Sequence, residues 1–306
     1  MSEPALDVVI VAYRCESLLR DCLTSLAEHP ARRGMATHVV DNASGDGTAD
    51  MVAREFPDVE LTRLPENRGF AAANNLAIRS AHAPNVLVLN PDTRVTARSL
   101  DTLVAVLDTR PTVAICGPRL ERPDGTFDHA ARRSFPTPLS ALGHFTGVGR
   151  RLGRGNLAAY RAPEVTSGPV DAVNGACMLI RRSILDEVGL FDEGYWMYME
   201  DLDLCYRFAQ AGWITWYEPT ATVIHLKAGT SGPIRTARLN YAFHYGMYRF
   251  YRTHYAPRRS RVVNAAVYAG IAVKLALSTA RGALRALVAK RRRQLSASAA
   301  PAPSQR

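Results

Sequence analysis

The chain of 306 residues is long enough for one large α/β domain with a smaller appendage. Its 47% apolar and 22% charged residues are typical of a globular protein and exclude a chain that is disordered throughout. The formal net charge of +10 comes from one end: residues 258–306 hold 11 Lys and Arg and no acid, whereas residues 1–257 hold 27 against 28 Asp and Glu. The body therefore gives no reason to expect a nucleic-acid partner, and the basic tail predicts contact with an anionic surface.

The cysteines and the first residues indicate the compartment. Five cysteines are scattered along the chain, with no CxxC pair and no Cys/His spacing typical of a metal site. We expect them to be reduced, mostly buried thiols. Residues 1–7 lack a basic segment followed by an apolar run, so no secretory signal is predicted there. Both features favour a cytoplasmic protein.

Strands and helices are predicted to alternate over the first 116 residues. Short apolar, β-branched runs predict strands at residues 6–13, 37–40, 59–64, 86–89 and 113–116. The segments between them predict helices at residues 16–28, from 48 to 56, after 67 and at 96–107. This alternation predicts an α/β fold whose mostly parallel central sheet is flanked by helices.

Polar residues follow directly after several predicted strands. They are Asp41, Asn42, Asn67, Arg68, Asn90 and Asp92. Each has an ordinary structural explanation, such as an Asx turn for Asp41, but ligands of such sheets bind outside the carboxyl ends of the strands. Together these residues favour a nucleotide site, and the absence of GxxxxGK[ST] excludes a P-loop. Asp41 is placed to meet a pyrimidine N–H, and Asp92 to hold a divalent cation against a diphosphate.

A second candidate site combines apolar residues with acids. Residues 195–199 are aromatic or Met and lie directly before Glu200, Asp201 and Asp203, which begin a predicted helix. Acids are favourable in a first helical turn, so they are explained equally by capping, with Asp203 and Arg207 as an i,i+4 pair. An apolar wall also suits a general base, because desolvation raises the pKa of a carboxyl group. Both interpretations stay open at this point.

Six stretches, taken in order, resemble the inverting family 2 glycosyltransferases of GT-A fold. They are residues 8–14, 40–48, 67–75, 89–92, 174–182 and 198–207. The most similar subgroup is the bacterial rhamnosyltransferase-like branch, which builds cell-surface polysaccharide. The resemblance covers roughly residues 6–230, and so many ordered motifs make a chance match improbable. It implies a Rossmann-like GT-A domain over residues 1–230, with a nucleotide-sugar half at about 1–120 and an acceptor half at about 165–230.

The resemblance also implies roles for individual residues. The donor would be bound by Ala12, Tyr13, Arg14, Asp41, Asn67, Arg68, Gly69, Asn90 and Asp92. Asn90 stands where the family has the first Asp of its DxD motif, so a divalent metal, Mn²⁺ or Mg²⁺, would rest mainly on Asp92. His225 matches a histidine that completes the metal site in some members; its alternative is a hydrogen-bonded core histidine. Asn174, Gly175, Tyr195 and Trp196 would contact the acceptor. Asp201 matches the catalytic base, and Glu200 remains a competing candidate.

The implied substrates are a nucleotide sugar and a membrane-linked glycan. The resemblance implies a dTDP- or UDP-sugar donor, dTDP-rhamnose first among them, and a polyprenyl-diphosphate acceptor. Two other classes stay open: a sugar-1-phosphate nucleotidyltransferase, whose glycine-rich N-terminal loop is absent here, and a catalytically inactive membrane scaffold. The arginines of the long segment 125–169 fit either an acceptor diphosphate or a solvated surface. They include Arg132, Arg133, Arg150, Arg151 and Arg154.

The tail predicts a helical, membrane-associating extension over residues 231–293 and a disordered end over 294–306. A helix is predicted at residues 234–255. The apolar run 262–277 falls short of the roughly 20 clean residues that a membrane span needs. Lys274, Arg281 and Arg285 recur on one helical face and Leu277 and Leu284 on another, which predicts an interfacial helix on the cytoplasmic side of the membrane. The alternative is a helix that docks on the body of the protein with its basic face in water. A homo-oligomer is a further alternative that the sequence leaves open.

Overall fold

The computed structural model describes residues 4–136, 166–227 and 236–298, the side chains of the last range up to residue 285. The chain divides into two compact units, Met1–Gly232 and Pro233–Arg306. Arg150, Arg151 and Arg154, whose role the sequence left open, lie outside the described residues.

The first unit begins with strands and helices in alternation, as the sequence predicts. The strands are β1 Leu6–Ala12, β2 Met35–Asp41, β3 Glu60–Arg63, β4 Asn85–Leu89, β5 Thr93–Val95, β6 Val113–Glu121, β7 Arg132–Arg133, β8 Gly168–Val170, β9 Ala172–Val173, β10 Cys177–Arg181 and β11 Ile214–His225. The helices are α1 Glu16–Glu28, α2 Thr48–Glu55, α3 Phe70–Ser80, α4 Ser99–Thr109, α5 Arg182–Val188 and α6 Glu200–Gln210. The predicted strands and helices of residues 6–116 are all present, with ends shifted by up to three residues except in β6, which continues to Glu121.

The central sheet has the order β3-β2-β1-β4-β10-β6-β11-β5, and β8 pairs with β11. Strands β3, β2, β1 and β4 are parallel to one another, because each βα crossover returns the chain to the same end of the sheet. β10 runs antiparallel between β4 and β6. Simple alternation predicts parallel pairing of β4 with β6; the later strand β10 separates them. β7 and β9 form a small sheet of their own.

The core is formed by the sheet and the apolar faces of the helices. Leu19, Cys22, Leu23 and Leu26 of α1 are buried, which is the stripe that the sequence predicts for this helix. All five cysteines are free thiols and buried, as predicted. Burial raises the pKa of Cys15 to about 12, which keeps this thiol protonated and unreactive at neutral pH.

A buried ion pair at the start of β1 joins three segments. Asp7 Oδ2 accepts hydrogen bonds from the backbone N–H of His82 at 2.6 Å and of Ala83 at 2.7 Å, and Asp7 Oδ1 lies 3.1 Å from His38 Nε2. Burial opposes ionisation of Asp7, but these hydrogen bonds outweigh it and lower its pKa. The hydrogen bond to Asp7 raises the pKa of His38. The pair therefore fixes the end of α3 against β1 and β2.

We expect Asp7→Asn to lower the free energy of unfolding by about 2–4 kcal/mol, because the amide turns an N–H₂ toward two backbone donors. The Asp7 contribution is present above the ordinary Asp pKa and is lost as the pH falls through its lowered value. The His38 contribution is present below the ordinary His pKa and is lost as the pH rises through its raised value. Urea unfolding at about pH 5.5 and pH 9 should show the larger difference at pH 5.5. Asp58→Asn, at an exposed position, is the control; an equal effect of both variants would contradict this account.

Within its described residues, the second unit has the α-helices α7 Ala237–His254 and α8 Arg261–Ser298, joined by a 3-10 turn at Ala256–Arg258. They pack on each other: Asn240 bonds Thr279 and Ser278 at 3.0 Å, Tyr251 donates to Asn264 at 2.8 Å, and the rings of Tyr248 and Tyr268 lie 5.1 Å apart. α8 is helical through Ser298, beyond residue 294, where the predicted disordered end begins, because its Ala, Leu, Arg and Gln residues favour helix.

The outward face of α8 is apolar. The exposed residues Val262, Ala266, Ala269, Val273, Leu277, Ala280 and Leu284 recur at helical spacing along it. Within the described part of the chain, Arg261–Arg285 is the one stretch long and apolar enough to cross a membrane, with a mean hydropathy of 1.5. By length and composition this stretch is longer than the predicted apolar run 262–277, because the helix continues past Leu277 through Ala280 and Leu284.

Candidate active site

The first polar cluster lies at the carboxyl ends of β1 and β2. Asp41 is the last residue of β2 and pairs with Ala12, the last residue of β1. Asp41 Oδ2 accepts a hydrogen bond from the N–H of Ser44 at 3.3 Å. Asp41 Oδ1 is buried and has no hydrogen-bond partner among the described residues. A buried oxygen without a partner is costly, so this atom is placed to accept a hydrogen bond from a ligand.

Arg14 lies at the same end of the sheet, two residues after β1 ends. The residue has a φ of 52°, in the left-handed region, and donates from its backbone N to Ser44 Oγ at 3.0 Å and from Nε to the Ser44 carbonyl at 3.1 Å. The Arg14 guanidinium carbon lies 5.3 Å from the centre of the Tyr13 ring. These contacts hold residues 12–14 beside Asp41, so the structure brings this part of the predicted donor site together.

The loop before α3 is tied to β2 by Asn42. Asn42 Oδ1 accepts from the backbone N of Arg68 at 2.8 Å, and its Nδ2 donates to the Gly69 carbonyl at 3.1 Å. Asn67 Oδ1 accepts from the backbone N of Gly69 at 3.0 Å. The predicted donor residues 67–69 therefore form one hydrogen-bonded turn next to Asp41.

Gly69 lies where the loop before α3 meets residues 195–199, the aromatic and Met segment that precedes Glu200 and Asp201. Its φ of 85° is a left-handed conformation, and a Cβ added here would lie 2.4 Å from the Trp196 carbonyl oxygen. The same carbonyl accepts from the backbone N of Phe70 at 2.8 Å. Only glycine permits this approach, which places the turn 195–199 directly against the predicted donor loop.

Asp92 and His225 meet where β4 and β11 end. Asp92 Oδ1 lies 3.5 Å from His225 Nε2, and the backbone N of Leu226 donates to the Asp92 carbonyl at 2.9 Å. His225 Nδ1 lies 3.4 Å from Asp128 Oδ2. Burial opposes protonation of His225, but its hydrogen bonds to Asp128 and Asp92 outweigh this effect and raise its pKa to about 9. Asn90 lies beside them, at the end of β4, and its backbone N donates to the Ala176 carbonyl.

Asp201 stands in the first turn of α6 and is almost fully buried. Its Oδ2 accepts from the backbone N of Gly175 at 2.9 Å and from Arg133 Nη2, and its Oδ1 accepts from the backbone N of Leu202 at 2.8 Å. A Cβ on Gly175 would lie 3.2 Å from Asp201 Cβ, so any larger residue here would push Asp201 away by a few tenths of an ångström. Tyr198 and Met199, directly before α6, both have positive φ, a strained arrangement typical of functional sites.

Glu200 differs from its neighbour Asp201. Its side chain is buried, and Oε2 has no hydrogen-bond partner among the described residues. Burial, helped by the nearby charge of Asp201, raises the pKa of Glu200 to about 8. The raised pKa favours the protonated form of Glu200, and a protonated acid does not act as a general base. The apolar surroundings therefore raise the pKa of Glu200, whereas the carboxylate of Asp201 accepts a hydrogen bond from Arg133.

The four predicted acceptor residues have different positions. Gly175 contacts Asp201, and Trp196 lies against Gly69. Asn174 stabilises its own turn, with Oδ1 accepting from the backbone N of Ala176 at 2.8 Å. Tyr195 is 1% exposed and its hydroxyl donates to Asp203 at 3.2 Å. The structure thus places Tyr195 in the core, so stacking on an acceptor sugar does not fit its position.

The structure also shows the ion pairs made by the other charged residues near Asp201, which are Asp203, Arg207 and Arg133. Arg207 Nε donates to Asp203 Oδ2 at 2.8 Å, and its Nη2 to the Leu190 carbonyl at 2.6 Å. This is the i,i+4 pair that the sequence offered as the structural interpretation of Asp203. Arg133 pairs with Asp201 because β7 and β9 place it next to residues 172–175. Asp128 and the Arg133 pairing were missed, since neither has a local sequence signal.

Comparison with known proteins identifies the class. The model of glycosyl transferase family 2 matches residues 7–189, more than half of the chain, so the protein belongs to this family. A relative from Mycobacterium tuberculosis, an N-acetylglucosaminyl-diphospho-decaprenol L-rhamnosyltransferase, is 34% identical over 241 residues, which are 74% of this chain and 78% of the relative. The rhamnosyltransferase WbbL of Escherichia coli is 31% identical over 166 residues, 51% of this chain and 60% of that protein. The predicted rhamnosyltransferase-like branch is confirmed.

Solved structures confirm the GT-A fold. GalNAc-T7, determined with UDP, GalNAc and Mn²⁺, superposes with a TM-score of 0.61 at 17% identity, over 83% of this chain and 48% of that one. The mannosyltransferase PcManGT of Pyrobaculum calidifontis, determined with GDP-Man and Mn²⁺, gives 0.54 at 21% identity, over 99% and 77% of the two chains. The protein is therefore a glycosyltransferase with an α/β GT-A domain.

Proposed function

We propose that the protein is a metal-dependent, inverting glycosyltransferase that moves rhamnose from dTDP-rhamnose to a polyprenyl-diphosphate-linked glycan. The observation that carries this proposal is the arrangement at one edge of the sheet, where the unpartnered Asp41 oxygen and the Asp92–His225 pair lie at strand ends. The relatives named as rhamnosyltransferases, one of them for a decaprenol-linked substrate, support the donor sugar and the acceptor class.

The donor nucleotide would lie along residues 12–14, 41 and 67–69. Asp41 Oδ1 would accept the N3–H of a thymine or uracil base, which both dTDP- and UDP-sugars offer. Arg14, which donates from Nε to the Ser44 carbonyl, and Arg68, whose backbone N donates to Asn42, are the arginines of this part of the site, and their positive charge would stabilise a diphosphate.

The residues at the end of β4 fit a divalent cation. Among the described residues, no group of three or more His, Cys, Asp and Glu forms a complete metal site, so a cation here would also need oxygens of the donor diphosphate. Asp92 Oδ1 and His225 Nε2, 3.5 Å apart, are the donor atoms that would hold Mn²⁺ or Mg²⁺. The cation would supply charge that stabilises the departing diphosphate.

Asp201 would act on the acceptor. In an inverting transfer the acceptor hydroxyl attacks the anomeric carbon, the bond from that carbon to the diphosphate oxygen breaks, and one carboxylate takes the hydroxyl proton. Among the residues that the structure describes, Asp201 Oδ1 accepts one hydrogen bond, from Leu202, which leaves a lone pair to take this proton. No second carboxylate nucleophile is required.

The second unit would bring the enzyme to its lipid-linked acceptor. The exposed apolar stripe of α8 and the acid-free sequence of residues 258–306 suit an anionic membrane surface at its cytoplasmic side. The acceptor chemistry favours this partner, because a polyprenyl chain stays in the bilayer and its glycan is reached from the surface.

Nucleoside diphosphate release from a panel of nucleotide sugars, with Mn²⁺ or Mg²⁺ and a membrane lipid extract, tests the proposal. We expect release from dTDP-rhamnose that requires both the metal and the lipid. Asp92→Ala should lower kcat/KM by on the order of 10²-fold or more, because charge stabilisation of the leaving group is lost. Asp58→Ala, an exposed carboxylate removed elsewhere, should match the wild type.

Three outcomes would contradict parts of the proposal. Turnover that survives chelation and Asp92→Ala would exclude the metal role. Consumption of a nucleoside triphosphate with a sugar 1-phosphate would indicate a nucleotidyltransferase. Lipid binding without release from any donor would leave an inactive membrane scaffold.

A further inference from the structure

His225 lies between two buried carboxylates. Its Nε2 atom lies 3.5 Å from Asp92 Oδ1, and its Nδ1 atom lies 3.4 Å from Asp128 Oδ2. In a neutral imidazole one nitrogen carries the proton and the other the lone pair, and the partner of the first decides which is which. Each carboxylate accepts from the ring nitrogen that faces it, Asp92 from Nε2 and Asp128 from Nδ1. With a cation beside Asp92 in place of the Nε2 proton, the remaining proton would stay on Nδ1, where Asp128 accepts it, and the lone pair would belong to Nε2.

We propose that Asp128 is a positioning residue of the metal site, which holds His225 with Nε2 available to a divalent cation shared with Asp92. This inference rests on the proposed function, since it assigns Asp128 to the cation invoked there. Metal-ligating histidines generally donate their other N–H to a carboxylate or carbonyl, which fixes the ring and raises the basicity of the ligand.

Asp128 is itself rigidly held. Its side chain is 2% exposed, and its backbone N donates to the Leu120 carbonyl at 2.9 Å. Asp128 Oδ1 accepts from Lys227 Nζ at 2.7 Å and from the backbone N of Ala130 at 3.0 Å. These bonds occupy Oδ1 and leave Oδ2 to His225. Burial opposes ionisation, but the hydrogen bonds from His225 and Lys227 hold the pKa of Asp128 well below its ordinary value.

A purely structural role would use only part of this arrangement. Capping the turn at residues 129–131 requires one oxygen of Asp128, and pairing with Lys227 requires the same one. The second oxygen is directed at His225, whose other nitrogen lies next to Asp92. The structural and the positioning role therefore predict different results when the carboxylate is replaced by an amide or removed.

Mn²⁺ binding to the full chain, measured by loss of the free-ion electron paramagnetic resonance signal in the presence of dTDP or UDP, tests the inference. We expect Asp128→Ala to weaken Mn²⁺ binding about 10- to 100-fold, and Asp128→Asn to weaken it less, because its amide oxygen can still accept from Nδ1. Asp124→Ala, an exposed carboxylate in the same loop, should match the wild type. In ¹⁵N-histidine spectra with Mg²⁺ and dTDP, the Nδ1–H form of His225 should dominate in the wild type and be lost in Asp128→Ala.

The outcomes separate the two proposals. If the wild type binds Mn²⁺ and Asp92→Ala abolishes binding while both Asp128 variants bind like the wild type, the positioning role is wrong and the metal site stands. If the wild type binds no Mn²⁺ with either nucleotide, both fail. Circular dichroism melts check folding, and a folded Asp128→Asn keeps the test valid where Asp128→Ala does not fold.

Discussion

Asp201→Asn is expected to lower kcat about 10²- to 10⁴-fold, the usual contribution of a general base, with the affinity for the nucleoside diphosphate changed by less than about threefold. The amide keeps the shape of the side chain and can still accept from Leu202, but it cannot take the acceptor proton. Steady-state kinetics with the donor identified in the release assay measure kcat, and calorimetry with the free nucleotide measures its affinity.

Two further variants separate the base from its neighbours. Glu200→Gln resembles the protonated form that the raised pKa of Glu200 predicts at neutral pH, so it should retain kcat within about threefold. Arg133→Met removes the ion pair to Asp201 without removing the carboxylate, and should stay at least about tenfold more active than Asp201→Asn. A larger loss in Glu200→Gln than in Asp201→Asn would transfer the role of base to Glu200. Equal losses in Arg133→Met and Asp201→Asn would assign the effect to the ion pair.

The donor half of the site could be predicted because its signals are local. Apolar, β-branched runs predict the strands, and in a parallel sheet the residue after each strand lies at the same edge. Asp41, Asn42 and residues 67–69 therefore lie together as predicted. α1 has the predicted bounds of residues 16–28 because its apolar stripe begins and ends there.

The rest depends on contacts between distant segments. β10 separates β4 from β6, and β7 pairs with β9 across the long segment from 137 to 165. The pairing of β7 with β9 brings Arg133 to Asp201, and the pairing of β6 with β11 brings Asp128 to His225. The sequence predicts that desolvation raises the pKa of the general base. In the structure desolvation acts on Glu200, the neighbour of Asp201, because the packing of α6 decides which of the two adjacent acids has apolar surroundings. Tyr195, predicted at the acceptor, is core for the same reason.

The second prediction concerns the exposed apolar stripe of α8, at residues 262, 266, 269, 273, 277, 280 and 284. Leu277→Gln with Leu284→Gln should weaken binding of the full chain to vesicles of phosphatidylcholine and phosphatidylglycerol about 10- to 100-fold. These side chains are 53% and 63% exposed, and we expect each to lose about 1–1.5 kcal/mol of apolar burial in the bilayer. Arg281→Gln with Arg285→Gln should weaken binding as well, by about 1 kcal/mol for each charge. Vesicle sedimentation measures both variants.

Salt distinguishes the two contributions. The effect of the arginine pair should shrink at high ionic strength, because surface charges are screened, whereas the effect of the leucine pair should persist. Vesicles of phosphatidylcholine alone should bind weakly and respond only to the leucine pair. If the leucine variant instead lowers the molecular mass in lipid-free sedimentation equilibrium and binds vesicles normally, the apolar stripe of α8 joins two copies of the chain and the membrane role is wrong. Loss of vesicle binding by a monomeric, folded variant would establish that this stripe is the membrane contact through which the enzyme reaches its acceptor.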